Sequence, residues 1–246
     1  MAVRKAKAKA DSNETLDFSM FSRGDLLNLI LQRSEVLYDI PRPGRLIQAW
    51  MRGNSAPLEA QVDRLGPEIA QRAFSVIETE FEAMRPVLDR LAPKRIADIG
   101  CGYGLVDLLF HRATGADMVL IDTEENDHRH FGFQPEGAAY ADLAKARAFL
   151  EANGVGSAAI TTLNPHKDSL SDLRKVNLAV SLLSCGFHFP VATYSAFFEE
   201  QVTKTGAVIL TLRERFDELA ELARLGRITI LDNSRPKSSL VLMDKR

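Results

Sequence analysis

The chain has 246 residues and a mass of 27.3 kDa, which corresponds to one large domain or to one domain with an extension. Hydrophobic residues make up 46% and charged residues 26%, so a wholly disordered chain and a collagen-like fibre are excluded. The net charge of −2 gives no general attraction for nucleic acid or acidic membranes. Apolar runs are too short for a membrane-spanning helix, and Cys101 and Cys185 fit a reducing compartment. We therefore expect a cytoplasmic protein that does not enter a membrane.

The N-terminal third divides into a polar tail and a helical segment. Residues 1–20 are basic and contain few large apolar side chains, which predicts a disordered, solubilising tail. A nucleic-acid-binding arm is the alternative, but the basic residues are not interleaved with aromatic ones. Residues 21–93 carry apolar side chains at helical spacing, which predicts an N-terminal extension made of helices. Pro86 is expected to kink or break the last of these helices.

Residues 94–246 show a different pattern, in which short apolar runs alternate with helical stretches. This alternation predicts a parallel sheet that is covered by helices on both faces. One of the helices is expected to begin at Pro190 and to end at Gly206, with a strand directly after it. The last two apolar runs, RITILD and SSLVLMD, are separated only by NSRPK, so these strands must be antiparallel. The predicted fold class is α/β, with a mostly parallel sheet of seven strands that ends in an antiparallel hairpin.

The segment DIGCGYG, residues 98–104, follows the first predicted strand directly. Ligands of open parallel sheets bind beyond the carboxyl ends of the strands, and glycines there allow the backbone to approach a ligand closely. The dinucleotide fingerprint G-x-G-x-x-G would place a small residue where this chain has Leu105. An NAD(P)-dependent oxidoreductase is therefore a weaker alternative. Taken alone, the glycines are also compatible with an ordinary tight turn between strand and helix.

This segment resembles the cofactor loop of class I, Rossmann-like S-adenosylmethionine-dependent methyltransferases, whose pattern is acid-x-Gly-x-Gly-x-Gly. The resemblance implies that the loop passes under the methionine part of the cofactor and that Asp98 helps to bind its amino group. An acid at the end of the second strand, which binds both ribose hydroxyls in that family, is matched by Asp122. Asn164 follows the third strand, where the family often contacts adenine. The predicted cofactor is S-adenosyl-L-methionine, with binding residues Asp98, Gly100, Cys101, Gly102, Tyr103, Gly104, Asp122, Thr123, Asn164 and Ser184.

The segment after the fourth strand, SCGFHFP at residues 184–190, lacks the Pro-Pro-aromatic motif of DNA amino-methyltransferases and the acidic ligands of metal-dependent catechol-type enzymes. It is similar to a group of bacterial small-molecule or sugar O-methyltransferases. We interpret His188 as a general base, because imidazole accepts a proton near neutral pH. The alternative is a histidine that orders the turn between strand and helix. Tyr194 is predicted to contact the acceptor.

The function predicted from these features is methyl transfer to a small-molecule acceptor, most simply to a hydroxyl. A cofactor-binding protein without catalysis and an RNA methyltransferase are the alternatives, and a homodimer is a further interpretation. The helical extension is expected to pack over the carboxyl ends of the strands, with Trp50 and Phe74 available to enclose the acceptor; the alternative is a lateral support or a dimer interface. Asp127, His128 and His130 are of metal-binding residue types, but an Asp/His-rich loop is usually solvated, and we predict no metal site.

Overall fold

The computed structural model describes residues 15–124, 141–214 and 217–245. Its N-terminal part is helical, with α1 (Arg23–Gln32), a 3₁₀ turn (Ser34–Leu37), α2 (Gly44–Met51), α3 (Ala56–Leu65) and α4 (Glu68–Leu91). A capping box starts α1, because the side chain of Ser22 accepts from the N–H of Asp25 and the Asp25 carboxylate accepts from the N–H of Ser22.

The expected break at Pro86 is absent, and α4 continues through it. Proline in a helix interior costs about 3 kcal/mol, because it removes a hydrogen bond and crowds the preceding turn. Met84, Val87 and Leu88 lie on both sides of Pro86 and are buried. Burial of each such side chain contributes roughly 1.5–3 kcal/mol, so tertiary packing outweighs the local cost.

The sheet contains β1 (Arg95–Ile99), β2 (Asp117–Ile121), β3 (Ile160–Leu163), β4 (Val176–Ser181), β5 (Val202–Arg213), β6 (Arg227–Asp232) and β7 (Ser238–Asp244). The strand order is β3-β2-β1-β4-β5-β7-β6. Strands β1 to β5 are parallel to one another, whereas β7 is antiparallel to both β5 and β6. The predicted mixed sheet with its antiparallel C-terminal hairpin is therefore confirmed.

Helices cover both faces of the sheet, and these include α5 (Leu105–Thr114), α6 (Leu143–Ala152), α7 (Ser195–Glu200) and α8 (Glu218–Ala223). Successive side chains of a strand point to opposite faces. Met118 and Leu120 of β2 accordingly pack with α1, α4, α5 and α6, whereas Val119 and Ile121 pack with α7 and α8. The N-terminal helices thus extend the core on one face of the sheet only.

The predicted helix from Pro190 to Gly206 is wrong in its second half, because α7 ends at Glu200 and β5 begins at Val202. Val202 pairs with Val176 of β4, and the register shifts before the next pair. A Cβ at Gly206 would lie 2.6 Å from the carbonyl oxygen of Asn177. The glycine therefore permits close approach of two strands and does not mark a helix end.

Residues 15–20, which the composition assigns to a disordered tail, are packed against the domain. Phe18 stacks on Phe149 of α6 at a centroid distance of 5.6 Å, and Leu16 and Met20 also contact the core. The predicted boundary at residue 20 is corrected accordingly, and residues 1–14 lie outside the described residues. Across the described ranges, no helix combines the length and the apolar composition that crossing a bilayer requires.

Candidate functional site

A cavity of about 320 Å³ lies at the carboxyl ends of β1, β2 and β4. The strand order reverses between β1 and β4, which is where open α/β sheets bind their ligands. Most of the predicted site residues line this cavity, namely Asp98, Gly100, Cys101, Gly102, Tyr103, Asp122, Thr123, Ser184, His188 and Tyr194. Gly104 and Asn164 are predicted site residues that do not line it.

The glycine loop crosses the end of the sheet in a conformation that needs glycine. Gly100 has a φ of 75°, and a Cβ there would lie 2.0 Å from Oγ of Ser184. Gly102 has a φ of 59°, and a Cβ there would lie 3.0 Å from Nε2 of Gln32. Gly104 precedes α5 as its N-terminal cap residue. The loop therefore packs closely between the end of β4 and α1, and its backbone borders the cavity.

Asp122 binds the glycine loop through its carboxylate. Oδ2 accepts from the N–H of Gly102 at 3.0 Å, and Oδ1 accepts from the N–H of Thr123 at 2.8 Å. Burial raises the pKa of Asp122 to about 6, and these backbone donors oppose the shift. The N–H of Glu124 is a third backbone donor to this carboxylate, and the acceptor capacity that remains can serve a ligand.

Asp98 and Asp107 form a buried pair of carboxyl groups beneath the loop. Burial raises the pKa of Asp98 to about 7, and a hydrogen bond from Asp107 opposes this shift. The pKa of Asp107 is also raised, by burial and then by the charge of Asp98. The pair therefore holds at least one proton, since two carboxylates in contact cannot both ionise. Sequence reasoning missed Asp107, whose only local signal is its place in the first turn of α5.

Tyr103 connects the glycine loop to the N-terminal extension. Its hydroxyl donates to Oδ1 of Asp25 at 2.8 Å and accepts from Nδ2 of Asn28 at 2.9 Å. Lys145 of α6 pairs with the same Asp25 carboxylate. The burial of Tyr103 raises its pKa, so the hydroxyl stays neutral and donates. This network holds α1 against the loop.

The extension contributes Leu31, Gln32, Arg33 and Ile77 to the cavity wall. Arg33 is buried, and its Nη2 pairs with Oε2 of Glu80 at 3.2 Å. Trp50 and Phe74, which we expected near the acceptor, do not line the cavity and belong to the hydrophobic core. Sequence reasoning missed Gln32 and Arg33, which look like ordinary polar residues at the end of an amphipathic helix.

The end of β4 forms a tight turn that brings His188 to the cavity. The N–H of His188 donates to the carbonyl of Ser184 at 2.7 Å, and the N–H of Gly186 donates to the carbonyl of Phe189 at 2.7 Å. Both His188 and Tyr194 line the cavity. Burial raises the pKa of Tyr194, so its hydroxyl is neutral. The main chain of His188 thus shapes the turn, while the residue itself borders the cavity.

Asn164 organises the turn after β3. Its Nδ2 donates to the carbonyl of Thr123 at 2.8 Å, and its Oδ1 accepts from the N–H of His166 at 3.0 Å. The neighbouring Pro165 and His166 line the cavity in its place. His166 is a further residue that the sequence reasoning missed.

Within the residues that the structure describes, His, Cys, Asp and Glu side chains form no cluster of three or more that could hold a metal ion. Asp127, His128 and His130 lie outside the described residues.

Comparison of the whole structure with solved structures identifies methyltransferases. The chain is similar to a methyltransferase from Geobacter sulfurreducens, with 17% identity, a TM-score of 0.50, and coverage of 77% of this chain and 97% of that one. WbdD, a bifunctional kinase-methyltransferase, has 17% identity and a TM-score of 0.48. The match covers 73% of this chain and 43% of WbdD, so the chain spans less than half of the length of WbdD. Magnesium protoporphyrin IX methyltransferase from Synechocystis PCC 6803, solved with bound S-adenosylmethionine, has 17% identity and a TM-score of 0.46, and the match covers 71% of this chain and 81% of that one.

No family model matches the sequence, and no curated protein matches it significantly. At this level of identity the similarity to the Geobacter protein establishes the fold. The chain therefore has the α/β, Rossmann-like methyltransferase fold, as predicted from its strand pattern.

Proposed function

We propose that this protein is a methyltransferase that uses S-adenosylmethionine and methylates a hydroxyl group of a small molecule. The observation that carries the proposal is the joint placement of Asp122 and the glycine loop on one cavity at the strand-order reversal. The carboxylate of Asp122 already holds the loop and has acceptor capacity left for a ligand. This is the arrangement that a vicinal diol of a ribose requires beside a closely approaching backbone.

The residues of the cavity also fit the remainder of the cofactor. Apart from its bond with the Asp107 carboxyl group, Oδ1 of Asp98 is buried without a donor among the described residues, so it is suited to accept from an ammonium group. The positive φ angles of Gly100 and Gly102 keep side chains out of the path of the ligand. When bound, S-adenosylmethionine supplies an activated methyl group for in-line displacement. The protein must then align the acceptor and remove its proton.

The acceptor side of the cavity lies beside the end of β4. His188, Thr193 and Tyr194 offer polar groups there, next to apolar Leu182 and Phe189. In this proposal the neutral imidazole of His188 accepts the hydroxyl proton, and Tyr194 positions the acceptor by donating a hydrogen bond. The cavity is also walled by Gln32 and Ile77 of the extension. A bounded cavity of this kind supports a small acceptor over RNA.

Binding of the cofactor is tested first, by titration calorimetry with S-adenosylhomocysteine and, separately, with NADH and NADPH. We expect binding of S-adenosylhomocysteine alone. Binding of a nicotinamide cofactor in its place would refute the proposal in favour of an oxidoreductase.

Transfer is tested with radiolabelled S-adenosylmethionine against panels of hydroxylated small molecules and against total RNA. We expect label in a small molecule, and His188→Gln should then reduce turnover at least about tenfold with unchanged cofactor affinity. His111→Gln is the matched control, since His111 lies near the end of α5 and does not line the cavity. Label in RNA alone would contradict the proposed acceptor class. Cofactor binding without transfer to either panel would favour a non-catalytic protein.

A further inference from the structure

We propose that Arg33 binds the carboxylate of the cofactor, so that Arg33 and Asp98 together form a site for an amino-acid zwitterion. This inference rests on the proposed function, because the zwitterion is the methionine part of S-adenosylmethionine. It assigns a cofactor contact to the N-terminal extension, outside the glycine loop and the strand ends.

The first support is an unpaired edge of the Arg33 guanidinium. The side chain of Arg33 is only 7% exposed, and it lines the cavity. Its Nη1 is buried and has no hydrogen-bond partner within residues 15–124, 141–214 and 217–245. A buried donor without an acceptor is costly, and more so when it is charged. An anionic ligand in the cavity would remove this cost.

The second support is that the positive charge of Arg33 is only partly neutralised by its carboxylate partner. Glu80 accepts from Nη2 of Arg33 at 3.2 Å, but the same carboxylate also pairs with Arg235. Arg235 in turn pairs with Glu35 at 2.8 Å. Glu80 is thus shared between two guanidinium groups. The pairing fixes one edge of Arg33, and its other edge keeps positive charge toward a ligand.

The third support is the opposite charge on the same cavity. Among the described residues, Oδ1 of Asp98 has no donor apart from the neighbouring Asp107 carboxyl group, so it does not bond Nη1 of Arg33. Arg33 is also the only lysine or arginine among the described residues that line the cavity. An unsatisfied acid and an unsatisfied guanidinium match the ammonium and carboxylate groups of an α-amino acid. The planar guanidinium is especially suited to a carboxylate.

The test compares ligands with and without the carboxylate, by titration calorimetry on the full chain. The ligands are S-adenosylmethionine, decarboxylated S-adenosylmethionine and 5′-methylthioadenosine. We expect Arg33→Met to weaken S-adenosylmethionine binding by about 10- to 100-fold, the range for one lost charged hydrogen bond. The affinities for decarboxylated S-adenosylmethionine and 5′-methylthioadenosine should change less than about threefold, since neither ligand has the carboxylate.

Arg72→Met is the matched control, because Arg72 is similarly buried but pairs with Asp39 and Glu68 away from the cavity. Equal losses for S-adenosylmethionine and its decarboxylated form in Arg33→Met would overturn the inference, and so would an unchanged affinity for S-adenosylmethionine. If Arg33→Met does not fold, the test uses the wild-type protein alone. Equal affinity of the wild type for S-adenosylmethionine and decarboxylated S-adenosylmethionine would overturn the inference and leave the proposed function intact. Failure of the wild-type protein to bind any of the three ligands would refute the proposed function itself.

Discussion

Asp122 offers the sharpest test of the cofactor site, because its carboxylate holds the glycine loop and is also proposed to bind the ribose, and these two roles can be measured separately. One acceptor position on each oxygen is used by the N–H groups of Gly102 and Thr123. The acceptor capacity that the backbone donors leave is available to the ribose hydroxyls. Asp122→Ala removes both ligand bonds, and each hydrogen bond to a charged group contributes about 1.5–3 kcal/mol. We therefore expect S-adenosylhomocysteine to bind roughly 10²- to 10⁴-fold more weakly.

Asp122→Ala also removes the acceptor for the N–H of Gly102, so the ligand bonds must be isolated from the effect on the loop. Calorimetry with 5′-methylthioadenosine and its 2′-deoxy analogue does this in a double-mutant cycle. The wild-type protein should discriminate between the two ligands, and Asp122→Ala should not. Asp117→Ala, at the opposite end of β2, is the control and should bind like the wild type. Full discrimination by a folded Asp122→Ala variant would refute the assignment to the ribose.

Two further predictions concern the ligand-free protein. Gly100→Ala should lower the free energy of unfolding by about 1–3 kcal/mol, because the residue has a positive φ and its Cβ would meet Ser184. Gly115→Ala, with a φ of 66° and nothing within 4 Å of its Cβ, should cost less, and equal losses in urea unfolding would contradict the predicted clash. The raised pKa of Asp98, about 7, lies above that of an unfolded aspartate, so the folded state binds more protons between these values. The free energy of unfolding should therefore fall as the pH rises from about 4 to 7. Asp98→Asn should make this fall less steep, by at most about 1.4 kcal/mol per pH unit. Equal slopes for the wild type and Asp98→Asn would disprove the account.

The strand pattern of residues 94–246 was predictable because strands buried on both faces consist of continuous apolar runs. The start of β5 was not predictable, since Thr203, Lys204 and Thr205 are polar and lie inside the strand between the paired residues Val202 and Ala207. Residues 15–20 were missed for a related reason. Phe18 is a single aromatic residue in a polar segment, and only the fold brings it onto Phe149.

The acids at the carboxyl ends of the first two strands, Asp98 within β1 and Asp122 directly after β2, could be found because strand, glycine and acid are adjacent in the sequence. Arg33 and Asp107 could not be found in this way. The role of Arg33 depends on how α1 is held against the loop by Tyr103, which is a contact between distant parts of the chain. The role of Asp107 depends on its burial against Asp98, which no local pattern reports.

The position of β7 within the sheet has a consequence for biosynthesis. β7 follows every other strand in the chain, yet it lies between β5 and β6, and Val241 pairs with Leu210 on one side and with Ile230 on the other. In a nascent chain that has emerged only as far as β6, β6 therefore has no partner strand, and β5 is paired with β4 on one edge only. Unpaired strand edges of this kind are prone to associate with other chains. The ribosome must therefore release β7 before the sheet can be completed, so folding of this domain finishes after translation of its last strand.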